Sequence, residues 1–271
     1  MPELPEVETV VRTLEKQIRG ATIREVQVLY KGICASGDPE GFSAALKGEC
    51  FEEFDRRGKF LIFRLREHVL VAHMRMEGKF FVYPLAQLPD KHTHLILKLD
   101  QGELHYNDVR KFGRFWLYRR NEPLDCLNIL GPEPWDEKLS GAYLKKYCRH
   151  SRTPLKTALL DQGMIAGIGN IYADEILYAC RIHPERRGDS LSEEEISLLI
   201  KNTRKILRKA IKAGGTTIRT YTSSLGVTGR FQMSLRAHDQ KICPRCKGPI
   251  RKITVGSRGT YYCPKCQKED L

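Results

Sequence analysis

The sequence predicts an α+β protein: an N-terminal helix with a β-sandwich, then a helical domain with a C-terminal β-hairpin that carries four cysteines. Three observations predict this order. Apolar residues recur at helical spacing over residues 4–18, and short β-rich runs follow from 21 to about 120. Helical spacing returns after residue 135, and two C-x2-C pairs then lie near the end of the chain.

A chain of 271 residues is long enough for about two domains, each with its own core. We predict an N-terminal domain at 1–130 and a helical domain at 136–230, joined by the Gly-Pro-Glu-Pro-Trp linker at 131–135. The last part of the helical domain is rich in Thr, Ser and Gly, which predicts a loop at 216–230. Residues 231–271 form the predicted metal-binding hairpin.

The elements follow from local signals taken in order. Pro5 falls in the first turn of the N-terminal helix, where proline is tolerated. Thr153-Pro154 predicts an N-cap followed by proline at the first helical position, and Ser192–Glu195 predicts a capping box that opens a long helix. The strands are predicted at 60–65, 69–72, 79–83, 94–99 and 114–118.

The charge balance points to a polyanionic partner. Lys and Arg number 46 against 33 Asp and Glu, which gives a net charge of +13, and this favours nucleic acid over an anionic membrane. No apolar run approaches the ~20 residues of a membrane-spanning helix. The acidic N-terminus does not resemble a signal peptide. We therefore expect a cytoplasmic protein whose nine cysteines are mostly reduced.

The first residues, Met1-Pro2-Glu3, could supply a nucleophile. Removal of Met1 would leave a secondary amine on Pro2, beside the carboxylate of Glu3. An α-amino group has a pKa of about 7.7–8.0, and amines form Schiff bases with carbonyl carbons. The positive end of the following helix would further favour the neutral amine. On these residues alone, an ordinary helix N-terminus with dipole-complementing carboxylates is the simpler interpretation.

The tail carries the strongest signal. Its two C-x2-C pairs, 16 residues apart, have the spacing of a four-cysteine zinc site; a redox pair is the alternative. Between them the sequence predicts a hairpin with strands at 250–255 and 260–262 and a four-residue tip at 256–259 that contains Arg258. The high basic charge of residues 241–271 suits a phosphate backbone. A merely solvated basic face is the other interpretation. The predicted zinc ligands are Cys243, Cys246, Cys263 and Cys266.

Ordered motifs along the whole chain resemble one family, the formamidopyrimidine-DNA glycosylases, which remove 8-oxoguanine and ring-opened purines from DNA. The resemblance runs from Pro2 to Cys266. The N-terminal Pro-Glu-Leu-Pro-Glu together with the four-cysteine finger is its most specific part. The matching segments are 2–6, 56–59, 73–78, 108–113, 131–134, 169–172 and the terminal finger.

The resemblance implies a bifunctional glycosylase and AP lyase of base excision repair. It also implies that the β-sandwich is followed by a helix–two-turn–helix domain with a C-terminal zinc-finger β-hairpin. The Pro2 nitrogen would attack the anomeric carbon of an everted nucleotide and form a Schiff base, with Glu3 supplying and taking protons. The strand would then break by β,δ-elimination. Lys59 would bind phosphate and assist β-elimination, and Arg258 would donate a proton in δ-elimination.

The resemblance also implies how DNA is held. Met76, Arg110 and Phe112 match the residues that fill the gap left by the everted base, and eversion itself costs a few kcal/mol, roughly. Three further residues match contacts to the DNA backbone: His73, His92 and Asn170. The partner would be double-stranded DNA with oxidised bases or abasic sites. The enzyme would be a monomer near the bacterial nucleoid, with one structural zinc ion and no cofactor for the chemistry.

Alternatives remain at this point. Endonuclease VIII, which prefers oxidised pyrimidines, shares the Pro-Glu start, and a non-catalytic damage-binding protein could use the same fold. His92 and His94 could form a metal pair, although no third ligand is nearby in the sequence. His238 stands where the family usually has a phosphate-contacting tyrosine. The loop at 216–230 corresponds to the family's lid over the flipped base.

Overall fold

The computed structural model describes residues 1–149, 152–216 and 230–269, and their architecture confirms the predicted α+β fold. The chain divides into two compact units. The N-terminal unit comprises Met1–Asn128 and the described part of Gly214–Gly229; the C-terminal unit comprises Ile129–Ala213 and the described part of Arg230–Leu271. The predicted loop at 216–230 lies almost wholly outside the described residues. Among the described helices, none is both long and apolar enough to span a membrane.

The N-terminal unit contains two four-stranded antiparallel sheets, with strand orders β1-β6-β7-β5 and β2-β3-β4-β8. Helix α1 packs against β2, and α2 packs against β1. The elements are α1 (Leu4–Ile18), β1 (Ile23–Val28), α2 (Pro39–Leu46), β2 (Phe51–Arg57), β3 (Phe60–Leu65), β4 (His68–His73), β5 (Lys79–Tyr83), β6 (Thr93–Leu99), β7 (Gly102–Asn107) and β8 (Arg114–Arg119).

One apolar core unites these elements. The buried face of α1, which includes Val7, Val11 and Leu14, belongs to the same cluster as inward-facing residues of both sheets. Aromatic rings make edge-to-face contacts within it, as between Phe80 and Tyr106, whose centroids are 5.1 Å apart. This core fixes the strand ends that carry the predicted site residues.

The C-terminal unit is helical and ends in a hairpin. Ser192 and Glu195 form the predicted capping box of α6. The cap predicted at Thr153 is wrong: α4 begins at Leu155, and extended Pro154 is itself the N-cap residue. The elements are α3 (Gly141–Cys148), α4 (Leu155–Leu160), α5 (Asn170–Cys180), α6 (Glu193–Lys212), β9 (Arg251–Val255) and β10 (Arg258–Tyr262).

The hairpin turn is tighter than predicted. Gly256 and Ser257 have φ values of 53° and 64° and form a two-residue connection, so Arg258 is the first residue of β10. A side chain at Gly256 would overlap Thr157 of α4. The end of the hairpin therefore rests on α4.

Candidate active site and metal centre

The N-terminal residues are fixed by the first turn of α1. Glu3 caps the helix, and its N–H donates to the Glu6 carboxylate at 2.9 Å as part of a reciprocal capping box. Pro2 and Glu3 are both buried. Two of the predicted catalytic residues therefore lie side by side in a defined place, which a frayed chain end would not provide.

Glu6 links this segment to a distant part of the chain. Its Oε1 accepts the backbone N–H of Thr216 at 2.7 Å and the Thr216 hydroxyl at 3.0 Å. Gly215 has a φ of +79°, and a Cβ there would lie 2.7 Å from Glu6 Oε1. Glycine therefore permits the close approach. The Glu6 carboxylate thus ties the start of α1 to Thr216.

The N-terminal amine lies in a desolvated, charged environment. Burial lowers the pKa of the Met1 amino group below 8.0; nearby carboxylates, Glu3 first, oppose this effect, and Lys59 adds to it. The Pro2 nitrogen is an amide while Met1 is attached. After Met1 removal, a Pro2 amine in the same surroundings would have a proton acceptor and a cation close by.

Lys59 follows Gly58 in the two-residue turn between β2 and β3, and Gly58 has a φ of +58°. The side chain of Arg56 anchors this turn, because it donates to the Gly58 carbonyl at 3.0 Å and to Glu8 of α1 at 2.9 Å. Lys59 is only 5% exposed. The turn therefore holds the lysine in a buried position.

His73 ends β4 and is buried. Its Nδ1 accepts the N–H of Arg75 at 2.9 Å, and its ring lies edge-on to Phe60. Burial, followed by the charges of Arg75 and Lys59, lowers the pKa of His73 to about 3. The imidazole is therefore neutral at physiological pH, and its hydrogen is on Nε2, where it can donate to an acceptor.

The loop at 108–113 presents Arg110 and Phe112. The buried Asp108 carboxylate organises it by accepting three backbone N–H groups at 2.8–3.0 Å, from Arg110, Phe112 and Gly113. Phe112 is 47% exposed, and the Arg110 guanidinium lies 4.7 Å from its ring centroid. An exposed aromatic ring and a stacked cation on a fixed loop suit insertion into a base stack.

Tyr106 lies beneath this loop and a second one. A Cβ at Gly78 or at Gly113 would overlap the Tyr106 hydroxyl. Gly78 lies two residues after half-buried Met76, and Gly113 lies directly after Phe112. The tyrosine thus brings together the two loops that carry the three predicted gap-filling residues.

His92 and His94 have different surroundings. His94 is buried, and its Nε2 lies 2.7 Å from the Asp108 carbonyl, so this ring has a structural partner. His92 is half-buried, and its backbone N–H and carbonyl bond to Asp90 and Asp108. In the described parts of the chain, the four cysteines form the one group that could hold a metal ion.

In the C-terminal unit, Asn170 and Arg258 lie where α5 meets the hairpin. Asn170 starts α5 and donates from Nδ2 to the Gly259 carbonyl at 2.9 Å. Its Oδ1 is buried and has no hydrogen-bond partner among the described residues. Arg258 precedes Gly259 and is exposed. Asn170 therefore clamps the hairpin beside the predicted DNA-contacting arginine.

The four predicted zinc ligands converge. Their sulfur atoms all lie within 4.8 Å of one another, close to the ~3.8 Å separation of thiolates in a tetrahedral site with Zn–S bonds of about 2.3 Å. Burial raises the pKa of the Cys243 thiol, but hydrogen bonds, chiefly from the Tyr178 hydroxyl, outweigh this effect and lower that pKa to about 6. Thiolates are the form that binds metal. This donor set fits one structural zinc ion.

A buried ionic network supports the same region. Asp174 of α5 forms an ion pair with Lys156, which also donates to the Asn170 carbonyl at 2.8 Å. The other Asp174 oxygen lies 2.6 Å from Nδ1 of His238 and accepts the Tyr261 N–H. Lys156 and Asp174 are not among the predicted site residues; their only signal in the sequence is a charged residue within an apolar helical stretch.

Comparison with known proteins gives three family matches along the chain. Residues 1–115 match the N-terminal domain of formamidopyrimidine-DNA glycosylase, and residues 130–222 match the H2TH domain of the same enzyme. Residues 241–268 match a zinc finger found in FPG and IleRS. The three matches follow the order of the two units and the finger.

Full-length relatives show the same correspondence. Formamidopyrimidine-DNA glycosylases from Bacillus anthracis and an Exiguobacterium species are each 46% identical to this chain; the alignments cover 98–99% of it and 99–100% of the relatives. Two Lactococcus lactis Fpg structures have a TM-score of 0.93, with 41–42% identity over 98–99% of this chain and 100% of theirs. One contains abasic-site DNA and the other N7-benzyl-Fapy-dG DNA. This chain therefore belongs to the formamidopyrimidine-DNA glycosylase family.

Proposed function

We propose that this protein is a DNA glycosylase and AP lyase of base excision repair that removes oxidised purines, 8-oxoguanine and formamidopyrimidines, from double-stranded DNA. The observation that carries the proposal is the buried pair Pro2 and Glu3, held by the Glu6 capping box in a chain of this family. Relatives have been captured with DNA that contains N7-benzyl-Fapy-dG or an abasic site, and this supports the substrate class.

The reaction begins once Met1 has been removed. The neutral Pro2 amine attacks the anomeric carbon, the damaged base leaves with its bonding electrons, and Glu3 transfers protons as the sugar ring opens to an iminium. The iminium acidifies the neighbouring sugar carbon. Loss of a proton there expels the 3′ phosphate, and a second elimination expels the 5′ phosphate. Lys59 assists the first elimination and Arg258 the second.

The remaining predicted residues hold the DNA. His73 donates from Nε2–H to a phosphate, and its low pKa makes this contact independent of pH near neutrality. Met76, Arg110 and Phe112 fill the gap left by the everted base. His92 and Asn170 contact the backbone. The neutral donor, the exposed ring and the stacked guanidinium described above support these roles.

Zinc has a structural role in this proposal. The set of four cysteines leaves no open coordination position, so the ion stabilises the hairpin and does not act on substrate. The domain assignment also stays a prediction: 1–130 carries the chemistry, 131–135 is the linker, and 136–230 and 231–271 are the helical domain and the finger. We further predict that the protein acts as a monomer in the cytoplasm, at the nucleoid.

Borohydride trapping tests the reaction. Reduction of the iminium should link the protein covalently to an 8-oxoguanine duplex, whereas Pro2→Gly and Glu3→Gln should each abolish the adduct. Glu25→Gln, at an exposed position on β1, serves as the matched control and should form the adduct normally. Mass spectrometry of the intact protein establishes whether Met1 has been removed.

The result distinguishes the alternatives. No adduct from protein that lacks Met1 would refute the glycosylase proposal, and tight binding to the same duplex would then indicate a damage-binding protein. Faster trapping on an oxidised-pyrimidine duplex would indicate specificity like that of endonuclease VIII. A panel of lesions in one duplex sequence therefore defines the substrate.

A further inference from the structure

From residue 201 to residue 212, one face of α6 is basic and points to solvent. Five exposed cations line it: Lys201, Lys205, Arg208, Lys209 and Lys212. With 3.6 residues per turn they lie within an arc of about 100°, opposite the buried face that includes Thr203 and Leu207. The sequence from 196 to 216 contains no Asp or Glu. None of the sequence motifs and none of the roles proposed above uses this face.

The fold itself accounts for only part of this charge. A sixth cation, Arg204, is structural, because it donates to the Pro134 and Leu139 carbonyls at 2.7 and 3.1 Å. Lys209 and Lys212 in the last turn complement the helix dipole. Lys201 and Lys205 lie about one to three turns earlier, and no ion pair is found for either within the described residues.

These cations also repel one another. Lys201 and Lys205 are four residues apart, as are Lys205 and Lys209, and like charges at this spacing weaken a helix. A partner rich in negative charge would convert this repulsion into attraction. Residues of α6, these cations among them, line an open groove of about 650 Å³. The lysine side chains therefore have room to reach such a partner.

A second groove, of about 430 Å³, continues the basic surface. Lys205 and Lys209 border it together with Arg236 and Arg245, and the Arg245 guanidinium lies 4.8 Å from the Tyr178 ring centroid. Glu175 also borders the groove, but it is buried, and its carboxylate accepts backbone N–H groups of residues 236–238. The Glu175 carboxylate is therefore occupied by backbone N–H groups and not by the surface cations.

The surface is separate from the predicted lesion contacts of this unit. Tyr178 lies eight residues after Asn170 on α5, a distance of about 12 Å along the helix. The α6 face and the hairpin clamp therefore lie at different places on the C-terminal unit. A ligand on α6 need not displace DNA from Asn170 and Arg258.

The spacing of the cations identifies the partner. Lys201 and Lys212 are separated by about 16 Å of helix, and one DNA strand carries about five phosphates over that length. The number of cations on this face therefore equals the number of phosphates that one strand would present over the same length. We propose that the outer face of α6 binds the phosphate backbone of a second, undamaged duplex segment while the lesion is held by the residues described above. Flexible lysines suit such contacts, which do not depend on base sequence.

The test compares two triple variants of the full-length, zinc-loaded protein. Lys201→Gln, Lys205→Gln and Lys209→Gln remove three charges from the face, and glutamine keeps the helix propensity. Lys16→Gln, Lys31→Gln and Lys47→Gln remove the same charge from exposed positions of the N-terminal unit. The protein is first saturated with an unlabelled tetrahydrofuran-containing duplex. A labelled undamaged duplex of about twelve base pairs, just over one helical turn, is then titrated in.

Wild type and the Lys16/Lys31/Lys47 control should bind the second duplex and form a complex of one protein with two duplexes. Fluorescence anisotropy and sedimentation measure this complex. The α6 triple should bind it at least about tenfold more weakly, and the slope of log K against log salt should be shallower by about 2.7 for three phosphates. Equal affinities for the two triples, a 1:1 limit for wild type, or tighter binding of polyglutamate than of duplex would overturn the proposal.

The test is separate from that of the proposed function. Single-turnover excision at saturating enzyme should be the same in both triples, since neither removes a group assigned to the lesion site. A failed second-duplex experiment with normal excision rejects only the α6 surface. Thermal unfolding followed by circular dichroism checks that α6 remains folded.

Discussion

Buried carboxylates fix the backbone that presents the functional side chains. Glu6 accepts hydrogen bonds from Glu3 and Thr216, and Asp108 accepts three N–H groups from the loop that carries Arg110 and Phe112. A carboxylate can bind several N–H groups at once, and each charge-assisted bond is stronger than a neutral one. These residues thus act on geometry, and the neighbouring side chains contact DNA in the proposed function.

His73 provides a prediction at this scale. Its folded-state pKa of about 3 lies below the unfolded value of 6.5. Protonation therefore favours the unfolded state, and the stability that neutral His73 contributes is complete above pH 6.5 and falls as the pH drops toward 3. Between pH 6.5 and 5 the loss should be about 1.6 kcal/mol, because the slope reaches 1.36 kcal/mol per pH unit only well below the unfolded pKa.

Urea unfolding at several pH values measures this loss. His73→Asn can still accept the Arg75 N–H but does not titrate, so its stability should fall less over the same window. NMR of the imidazole should show no titration of His73 above about pH 4. A midpoint near 6.5 would contradict the buried, neutral histidine.

At the scale of elements, short loops between strands carry the recognition residues. The 108–113 loop follows β7 and precedes β8, and the Lys59 turn joins β2 and β3. Both sheets contribute side chains to one apolar core. The positions of these loops therefore depend on strand register and on the few contacts that shape each loop.

Asp108→Asn tests this dependence. The amide has one acceptor oxygen where the carboxylate has two, so at least one of the three N–H groups loses its partner, at a cost of about 1–3 kcal/mol. The loop should loosen, and single-turnover excision of 8-oxoguanine should fall more than binding to a tetrahydrofuran duplex, which has no base to evert. Asp100→Asn, in the β6–β7 turn, is the control. Equal effects on excision and binding would argue against a role in eversion.

The elements also show what the sequence could predict. Apolar and aromatic runs such as 60–65 and 79–83 are predicted as strands because their composition differs clearly from the flanking turns; 60–65 is buried on both faces, whereas 79–83 buries Phe80. Strands β1, β2 and β7 were missed. Most of the β1 and β2 side chains are charged or partly exposed, and β7 buries Glu103 against His105 at 2.8 Å, a polar pair that hides a buried strand. Helix α2 was missed because it has only two buried apolar residues.

At the scale of the whole molecule, the zinc finger completes the C-terminal unit. Cys243 and Cys263 share an apolar cluster with Tyr178 of α5, and Gln267 donates to the Ile182 carbonyl at 2.9 Å. Structural zinc supplies about 10–16 kcal/mol of apparent binding free energy in small fingers. The hairpin and the Arg258 it carries should therefore depend on the ion.

Cys243→Ala should remove zinc and weaken duplex binding by at least about tenfold, since a lost ligand leaves three thiolates and an open site. Metal analysis and fluorescence anisotropy measure the two effects. Cys126→Ala changes a half-buried cysteine outside the cluster and should retain one zinc per chain. Unchanged duplex affinity in zinc-free protein would show that the finger does not hold DNA.

Long-range pairing marks the limit of prediction from the sequence. The order of helix, sandwich, helical unit and finger follows from periodicity, and the cysteine cluster follows from spacing. That Glu6 meets Thr216, 210 positions away, or that Asp174 meets His238, depends on tertiary packing. Charged residues in such places resemble ordinary surface residues in the sequence, because Asp, Glu and Lys are rarely buried.

The position of Tyr106 has a consequence for protein engineering. Because its hydroxyl packs under both Gly78 and Gly113, the loops carrying Met76 and Phe112 are not independent modules. A graft that exchanges one of them to alter base preference would leave the other misplaced. We expect the two loops, their glycines and Tyr106 to be the smallest unit that can be transplanted between relatives.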